Sequence, residues 1–96
     1  MIDLIIKNAK VATASDLFTC DIGVDKEKIV FLEKNSSKEA KRIIDAKNQY
    51  VLPGGVDGHC HLDQRTKDGT EMSDNFESGS RSAVFGGTTT IMPFAI

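Results

Sequence analysis

Two histidines stand two residues apart at the end of an apolar, strand-like segment, and this spacing constrains the chain more than any other feature. The segment reads Leu52-Pro53-Gly54-Gly55-Val56-Asp57-Gly58-His59-Cys60-His61-Leu62-Asp63. In a β-strand, residues i and i+2 point to the same face, so His59 and His61 could bind one metal ion while Cys60 points away. Zinc sites use at least three protein ligands, and the chain has no other histidine. The pair therefore predicts only the beginning of a metal site.

The neighbours of the histidines allow more than one interpretation. Asp57 shares their strand parity. Its carboxylate could accept a hydrogen bond from the ring of a ligating histidine, or it could accept one from the backbone in a turn. Asp63 could lie near the metal or be a solvated loop residue. Cys60 is expected to be a small buried apolar side chain. Without further context, His59 and His61 themselves could be histidines that bind nothing.

Composition limits the class of protein. The 96 residues are 40% apolar, and no segment is long enough to span a membrane. Twelve basic and fourteen acidic residues give a net charge of −2, and the basic residues are scattered, which argues against a nucleic-acid partner. The start of the chain lacks the features of a signal peptide, and two distant cysteines do not form a disulfide framework. We therefore expect a cytoplasmic protein.

The first half of the chain has the two-residue periodicity of β-strands. Residues 19–24 and 28–32 flank the turn-like sequence Asp25-Lys26-Glu27, which predicts a hairpin. Residues 35–41 are polar and are predicted to form a loop. Residues 1–52 therefore predict a small β-domain with strands at 3–11, 19–24, 28–32, 42–45 and 49–52.

The second half has a different rhythm. A strand at 56–61, a polar loop at 62–72 and a strand at 88–94 enclose a helix that begins after Ser73-Asp74-Asn75 and runs to about Phe85. Glu77 is placed to cap the first turn, and Gly86-Gly87 to end the helix. Phe76, Ser80, Ala83 and Val84 are predicted to share its packed face, and the last strand to be buried.

This strand, helix and strand form a βαβ unit, which implies a parallel sheet. Parallel sheets need cover on both faces, and the sequence after the last strand is too short to provide it. We therefore expect the chain to be the N-terminal piece of a larger protein.

At this point the residues match a family. A short β-domain, then Pro53-Gly54-Gly55-Val56-Asp57 with the two histidines, then Gly86-Gly87-Thr88-Thr89-Thr90 closely resembles the start of the cyclic amidohydrolases, and most of all the dihydropyrimidinases and hydantoinases. The resemblance covers the whole chain but only about the first fifth of a typical member. It implies an α/β fold in which residues 1–52 belong to a β-sandwich domain and residues 53–96 begin a (β/α)8 TIM-like barrel.

The resemblance also implies a chemistry. In this family, histidines matching His59 and His61 bind one metal of a binuclear zinc centre, while a carboxylated lysine, two later histidines and a late aspartate complete it. A hydroxide that bridges the metals attacks the cyclic amide carbonyl, and the aspartate carries the proton to the leaving nitrogen. This chain has only the first two ligands, so we expect it to be inactive alone. The family also implies a homo-oligomer, a dimer or a tetramer.

The residues after the histidines bear on the substrate. Dihydroorotases carry His-x-His-x-Arg, whose arginine pairs with a substrate carboxylate, whereas this chain has Asp63 there and Arg65 at the wrong parity. The sequence resembles the hydantoinase type, which hydrolyses neutral cyclic ureides and imides such as dihydrouracil and hydantoins. Its substrate-loop candidates are Asp63, Gln64 and Arg65. An allantoinase-like enzyme, a non-catalytic scaffold relative and a complete small metal- or partner-binding protein remain alternatives.

Overall fold

The chain divides into two compact units, residues 1–53 and residues 54–96. The computed structural model describes residues 1–64 and 67–94. Within these described residues each unit has its own β-sheet, with five strands in the first and two in the second. Within the described ranges, no helix is both long enough and apolar enough to cross a membrane.

The first unit is one mixed sheet built around its first strand. Its strands are β1 (Ile2–Ala12), β2 (Leu17–Asp25), β3 (Lys28–Glu33), β4 (Ala40–Asp45) and β5 (Tyr50–Val51). The antiparallel strands lie in the order β3-β2-β1, while β4 and β5 both pair with β1 in parallel. All the predicted strands are present, but β4 begins at Ala40, so the loop predicted at 35–41 is shorter than expected.

The predicted hairpin is confirmed, and its turn explains its shape. Lys26 and Glu27 have φ values of 49° and 66°, the two positive values that a type I′ turn requires. Such turns match the twist of antiparallel strands, so β2 and β3 pair directly across it. The buried cluster of this unit consists of Ala9, Val11, Cys20, Ile22 and Ala46, with Ile6 packed against it. Ile5 is also buried, but it pairs with Gly23 and lies on the face of the sheet opposite Ile6 and Ile22.

A buried carboxylate stabilises an irregularity in β1. The ladder between β1 and β2 shifts register between Ile6 and Ala9, and Asn8 there has a φ of 56°. Asp21 lies 2% exposed beside this bulge. Its carboxylate accepts the Asn8 N–H at 3.0 Å and the Ser36 N–H at 2.8 Å. The carboxylate thus binds a backbone donor that the bulge removes from the ladder.

The pKa of Asp21 reflects this surrounding. Burial alone would raise it, but the N–H groups of Asn8 and Ser36 and the charge of Lys7, whose Nζ lies 3.7 Å away, together lower it below the ordinary value. The charged form is therefore the form that the folded state stabilises.

The second unit contains the predicted strand, helix and strand. These are β6 (Gly55–Cys60), α1 (Phe76–Phe85) and β7 (Thr88–Pro93), and β6 pairs with β7 in parallel. Asn75 caps α1: its Oδ1 accepts the Ser78 N–H at 2.8 Å, and the Ser78 hydroxyl accepts the Asn75 N–H at 3.1 Å. The capping role predicted for Glu77 is wrong, because Ser78 occupies the capping position and Glu77 instead forms an ion pair with Arg81.

Two predictions about packing in this unit need correction. On the face of α1 predicted to be packed, Ser80 and Ala83 are half-buried as expected, but Phe76 and Val84 are 53% and 61% exposed, and Gly79 is half-buried in addition. The strand predicted at 88–94 to be buried ends at Pro93, and none of its residues is fully buried: Thr88, Ile91 and Pro93 are half-buried and the others are exposed. Among the described residues, β6 is its sole strand partner, so much of its surface has no cover.

We predict that Asp21→Asn destabilises the first unit by about 1–3 kcal/mol, because an amide cannot accept both buried N–H groups and match the Lys7 charge. The pKa of Asp21 is lowered on folding, so its stabilisation is present above the unfolded pKa of about 3.9 and is lost as the pH falls through the folded value. Amide hydrogen exchange of β1 and β2 at neutral pH measures the loss.

The matched control is Glu39→Gln, the same carboxylate-to-amide change at an exposed position. We expect it to leave exchange in β1 and β2 unchanged. Equal protection in the Asp21→Asn variant and the wild type at neutral pH would contradict the role assigned to this carboxylate.

Candidate functional site

The end of β6 departs from the regular strand that the sequence predicted. The strand ends at Cys60, one residue earlier than expected, so His61 follows it. Asp57 pairs with Ile91 and Cys60 with Pro93, so three steps along β6 match two steps along β7. This is the register shift of a bulge, and it breaks the alternation of faces on which the prediction relied.

Because of the bulge, Asp57 does not share a strand face with the two histidines as the two-residue alternation predicted. Asp57 and Cys60 line one cavity of about 270 Å³, together with Gly79 and Ala83 of the helix. The carboxylate of Asp57 accepts the backbone N–H of His59 at 3.0 Å. Of the two interpretations of Asp57, the backbone contact is the one that the structure contains.

The two imidazoles converge despite the bulge. The Nε2 atoms of His59 and His61 lie 3.3 Å apart, and the ring centroids lie 5.2 Å apart. Two nitrogens at about 2.0–2.1 Å from a tetrahedral zinc ion would stand roughly 3.3–3.4 Å from each other. The nitrogen pair therefore fits two corners of such a site. Within the described residues no group of three or more histidine, cysteine or acidic side chains is placed to hold a metal.

Gln64 links His61 to the end of β7. Its Oε1 lies 2.8 Å from Nδ1 of His61, and its Nε2 donates a long hydrogen bond of 3.4 Å to the Phe94 carbonyl oxygen. Its backbone N–H points at the Met72 sulfur, 3.2 Å away. The side chain is thus held at both ends, and it is half-buried where the two histidines are exposed.

Phe94 covers both imidazoles. Its ring stacks on His61 with centroids 4.9 Å apart and planes 5° apart, and it meets His59 edge-on at 4.4 Å. The Phe94 N–H donates to the Cys60 carbonyl oxygen at 3.0 Å, which extends the parallel ladder past the last strand residue. The aromatic ring is thereby fixed beside the point where the two nitrogens meet.

The loop after His61 begins with a sharp change of direction. Asp63 has a φ of 53°, a conformation that aspartate adopts more readily than most residues, and its N–H donates to the Asp74 carbonyl oxygen at 3.0 Å. Asp63 and Gln64 border a cavity of about 580 Å³, whose other lining residues are Gly69, Thr70, Glu71, Met72, Ser73 and Asn75. Arg65, the third substrate-loop candidate, lies outside the described residues.

Leu62 anchors this loop to the helix. A Cβ at Gly79 would collide with the Leu62 side chain, so the close approach of the two segments depends on glycine at that position. Leu62 directly follows His61 in the chain. Its packing against α1 therefore helps to fix the position of the His61 backbone, from which the second imidazole projects.

Sequence reasoning placed both histidines at this site but assigned no contact to Phe94 and only a loop role to Gln64. The available signal was weak. Gln64 is three residues beyond His61, a spacing at which a turn can return one side chain to the other. Phe94 follows the strand parallel to β6, and adjacent parallel strands end on the same side of a sheet.

Comparison with known proteins gives a consistent set of relatives. No family model matches the chain. A D-hydantoinase from Geobacillus stearothermophilus is 42% identical over 92 residues, which cover 96% of this chain and 19% of the relative. A dihydropyrimidinase from Dictyostelium discoideum is 38% identical over 94 residues, or 97% of this chain and 18% of the relative.

Solved structures agree with these relatives. The crystal structure of a D-hydantoinase from Bacillus sp. AR9 matches with a TM-score of 0.90 and 37% identity, and the match covers 98% of this chain and 20% of that one. The chain therefore spans about a fifth of the length of the proteins that it matches.

We predict that Gly79→Ala weakens the packing of α1 although alanine is the better helix former by about 1 kcal/mol. The added Cβ displaces Leu62, and overpacking of this kind costs about 1–3 kcal/mol. Ser82→Ala, on the same helix, should not reduce protection. Amide hydrogen exchange in α1 and β6 distinguishes the two, and greater protection in Gly79→Ala than in the wild type would contradict the contact.

Proposed function

The chain is homologous to the N-terminal fifth of D-hydantoinases and dihydropyrimidinases, and from this premise we propose that it supplies the first two metal ligands of a cyclic amidohydrolase. The reaction would be hydrolysis of the amide C–N bond in a neutral cyclic ureide or imide. The further ligands and the proton carrier would come from sequence that this chain does not contain.

The proposed domains follow the same homology. Residues 1–52 would form part of a β-sandwich domain, and residues 53–96 would form the first βαβ unit of a (β/α)8 barrel. Active sites of such barrels lie at the carboxyl ends of the strands. His59 and His61 stand at the carboxyl end of β6, and Phe94 follows the carboxyl end of β7, which supports this placement.

The observation that carries the proposal is the convergence of two imidazole nitrogens, 3.3 Å apart, at that strand end. His59 and His61 would hold zinc through Nε2. When bound, a metal pair would lower the pKa of a water molecule and polarise the ring carbonyl. The Phe94 ring would exclude water from one side of the imidazoles, because it contacts both.

Residues of the following loop bear on which substrate would fit. Asp63 and Gln64, in the loop that follows His61, border the cavity of about 580 Å³. We propose that these two residues and Arg65 surround the substituent of the substrate ring. A carboxylate at position 63 would repel an acidic substituent. A neutral ring is therefore the favoured substrate.

A hybrid protein tests the metal ligands. In it, this chain replaces the matching segment of the G. stearothermophilus D-hydantoinase, to which it is 42% identical. We predict that the hybrid binds zinc and hydrolyses a hydantoin, and that His59→Ala or His61→Ala lowers its metal content and its turnover by at least about 100-fold. Metal analysis and initial rates give both quantities.

Cys60→Ala is the matched control, because Cys60 lies between the histidines but lines the cavity against the helix. It should leave metal content and turnover close to those of the unmodified hybrid. Turnover that survives loss of either histidine, or that persists after removal of metal by a chelator, would overturn the proposed mechanism.

A substrate series tests the subfamily. We predict that the hybrid prefers dihydrouracil or a 5-substituted hydantoin to dihydroorotate, and that Asp63→Arg shifts the preference toward dihydroorotate because arginine can pair with its carboxylate. Allantoin, assayed alongside, tests the allantoinase alternative. A preference of the unmodified hybrid for dihydroorotate would contradict the role given to Asp63.

A non-catalytic scaffold with the same fold is the second candidate from the sequence. Two exposed imidazoles whose nitrogens meet at ligand spacing have no use in a scaffold, so this geometry favours the enzyme.

A further inference from the structure

The amide of Gln64 has one orientation that satisfies both of its partners. The Phe94 carbonyl can only accept a hydrogen bond, so the NH2 group of Gln64 faces it and the amide oxygen faces His61. The opposite orientation would set two acceptor oxygens against each other. The backbone N–H of Gln64, directed at the Met72 sulfur, holds the residue in place for this arrangement.

An amide oxygen can only accept, and this fixes the proton on the imidazole. The 2.8 Å contact requires Nδ1 of His61 to carry the hydrogen, so Nε2 of the neutral ring carries a lone pair. In free histidine the proton prefers Nε2. The contact with Gln64 therefore reverses the ordinary preference and directs the lone pair of His61 toward Nε2 of His59.

We propose that Gln64 is a positioning residue: it selects the Nδ1–H tautomer of His61 and thereby presents Nε2 of that ring as a ligand for zinc. The role as a zinc site rests on the function proposed above, whereas the tautomer does not. Outer hydrogen-bond partners of ligating histidines raise the basicity of the ligand and fix the ring orientation, and their loss costs about 10–100-fold in metal affinity. Phe94 contributes in two ways. Its carbonyl orients the Gln64 amide, and its ring stacks on the His61 imidazole.

The tautomer can be read directly in the metal-free 96-residue chain. It contains only two histidines, so selective ¹⁵N labelling of histidine gives two imidazole spin systems. The spectra are recorded at pH 8.5, about two units above the ordinary histidine pKa of about 6.5. Long-range ¹H–¹⁵N spectra should then show a protonated Nδ1 and an unprotonated Nε2 for His61, which His61→Ala assigns by removing its signals. A predominantly Nε2-protonated His61 in the folded chain would overturn the proposal.

Three variants separate the positioning role from a structural one. Gln64→Leu removes the acceptor, so the proton should return to Nε2. Gln64→Glu loses the NH2 donor to the Phe94 carbonyl but keeps an acceptor for Nδ1–H, so it should retain the Nδ1–H tautomer. Gln49→Leu makes the same glutamine-to-leucine change at an exposed site in the first unit and should change neither ring. An unchanged His61 tautomer in Gln64→Leu would contradict the proposal.

The same variants in the hybrid protein give a second readout that does not need the isolated chain to fold. Competition with a chelator should show zinc held about 10–100-fold more weakly in Gln64→Leu and near the unmodified level in Gln64→Glu. Equal zinc affinity in the Gln64→Leu hybrid, the Gln64→Glu hybrid and the unmodified hybrid would overturn the positioning role. A hybrid that has the expected tautomer but binds no zinc would contradict the proposed function and leave the tautomer assignment intact, so the two failures are distinguishable.

Discussion

The hydrogen bonds that pair β6 with β7 in parallel determine how the second unit is built. A parallel pair cannot be joined by a tight turn, so the chain must leave one end of β6 and return to the other end of β7 through a helix. The same pairing brings the carboxyl ends of the two strands together. His59 and His61 lie at the carboxyl end of β6, and Phe94 follows the carboxyl end of β7. The three rings therefore meet although more than thirty positions of sequence separate Phe94 from the histidines. The contacts that Phe94 makes with the imidazoles and with Gln64 depend on this pairing.

Features set by local chemistry could be predicted from the sequence. The two-residue rhythm gave the strands of the first unit, the cluster Asp25-Lys26-Glu27 gave the hairpin, and Gly86-Gly87 gave the end of α1. The His-x-His spacing brought two imidazoles to one place. The resemblance to dihydropyrimidinases and hydantoinases, read from the flanking motifs, agrees with the relatives that comparison finds.

What the sequence could not provide depends on contacts between segments. The bulge before Cys60 arises from the register with β7, and a periodic pattern contains no information about where such a register slips. The packed face of α1 includes Gly79 because Leu62 fills the space that a side chain would need, whereas hydrophobicity alone favoured Phe76 and Val84. The role of Asp21 also depends on a contact between segments. A lone aspartate in an apolar strand gives no sign that a bulge in the neighbouring strand has released an N–H group for it to bind.

The position of β1 in the first sheet has a consequence for the order of folding. Its antiparallel partner β2 follows after a short connection, and β3 follows β2 through a two-residue turn, so these three strands can pair through contacts that are close in sequence. The parallel partner β4 is distant, since Ile2 pairs with Ala40. Closing so long a loop costs more entropy, and non-local pairings generally form more slowly. We therefore expect a nascent chain to form the meander first, with one edge of β1 open until residues beyond Glu39 have emerged to cover it.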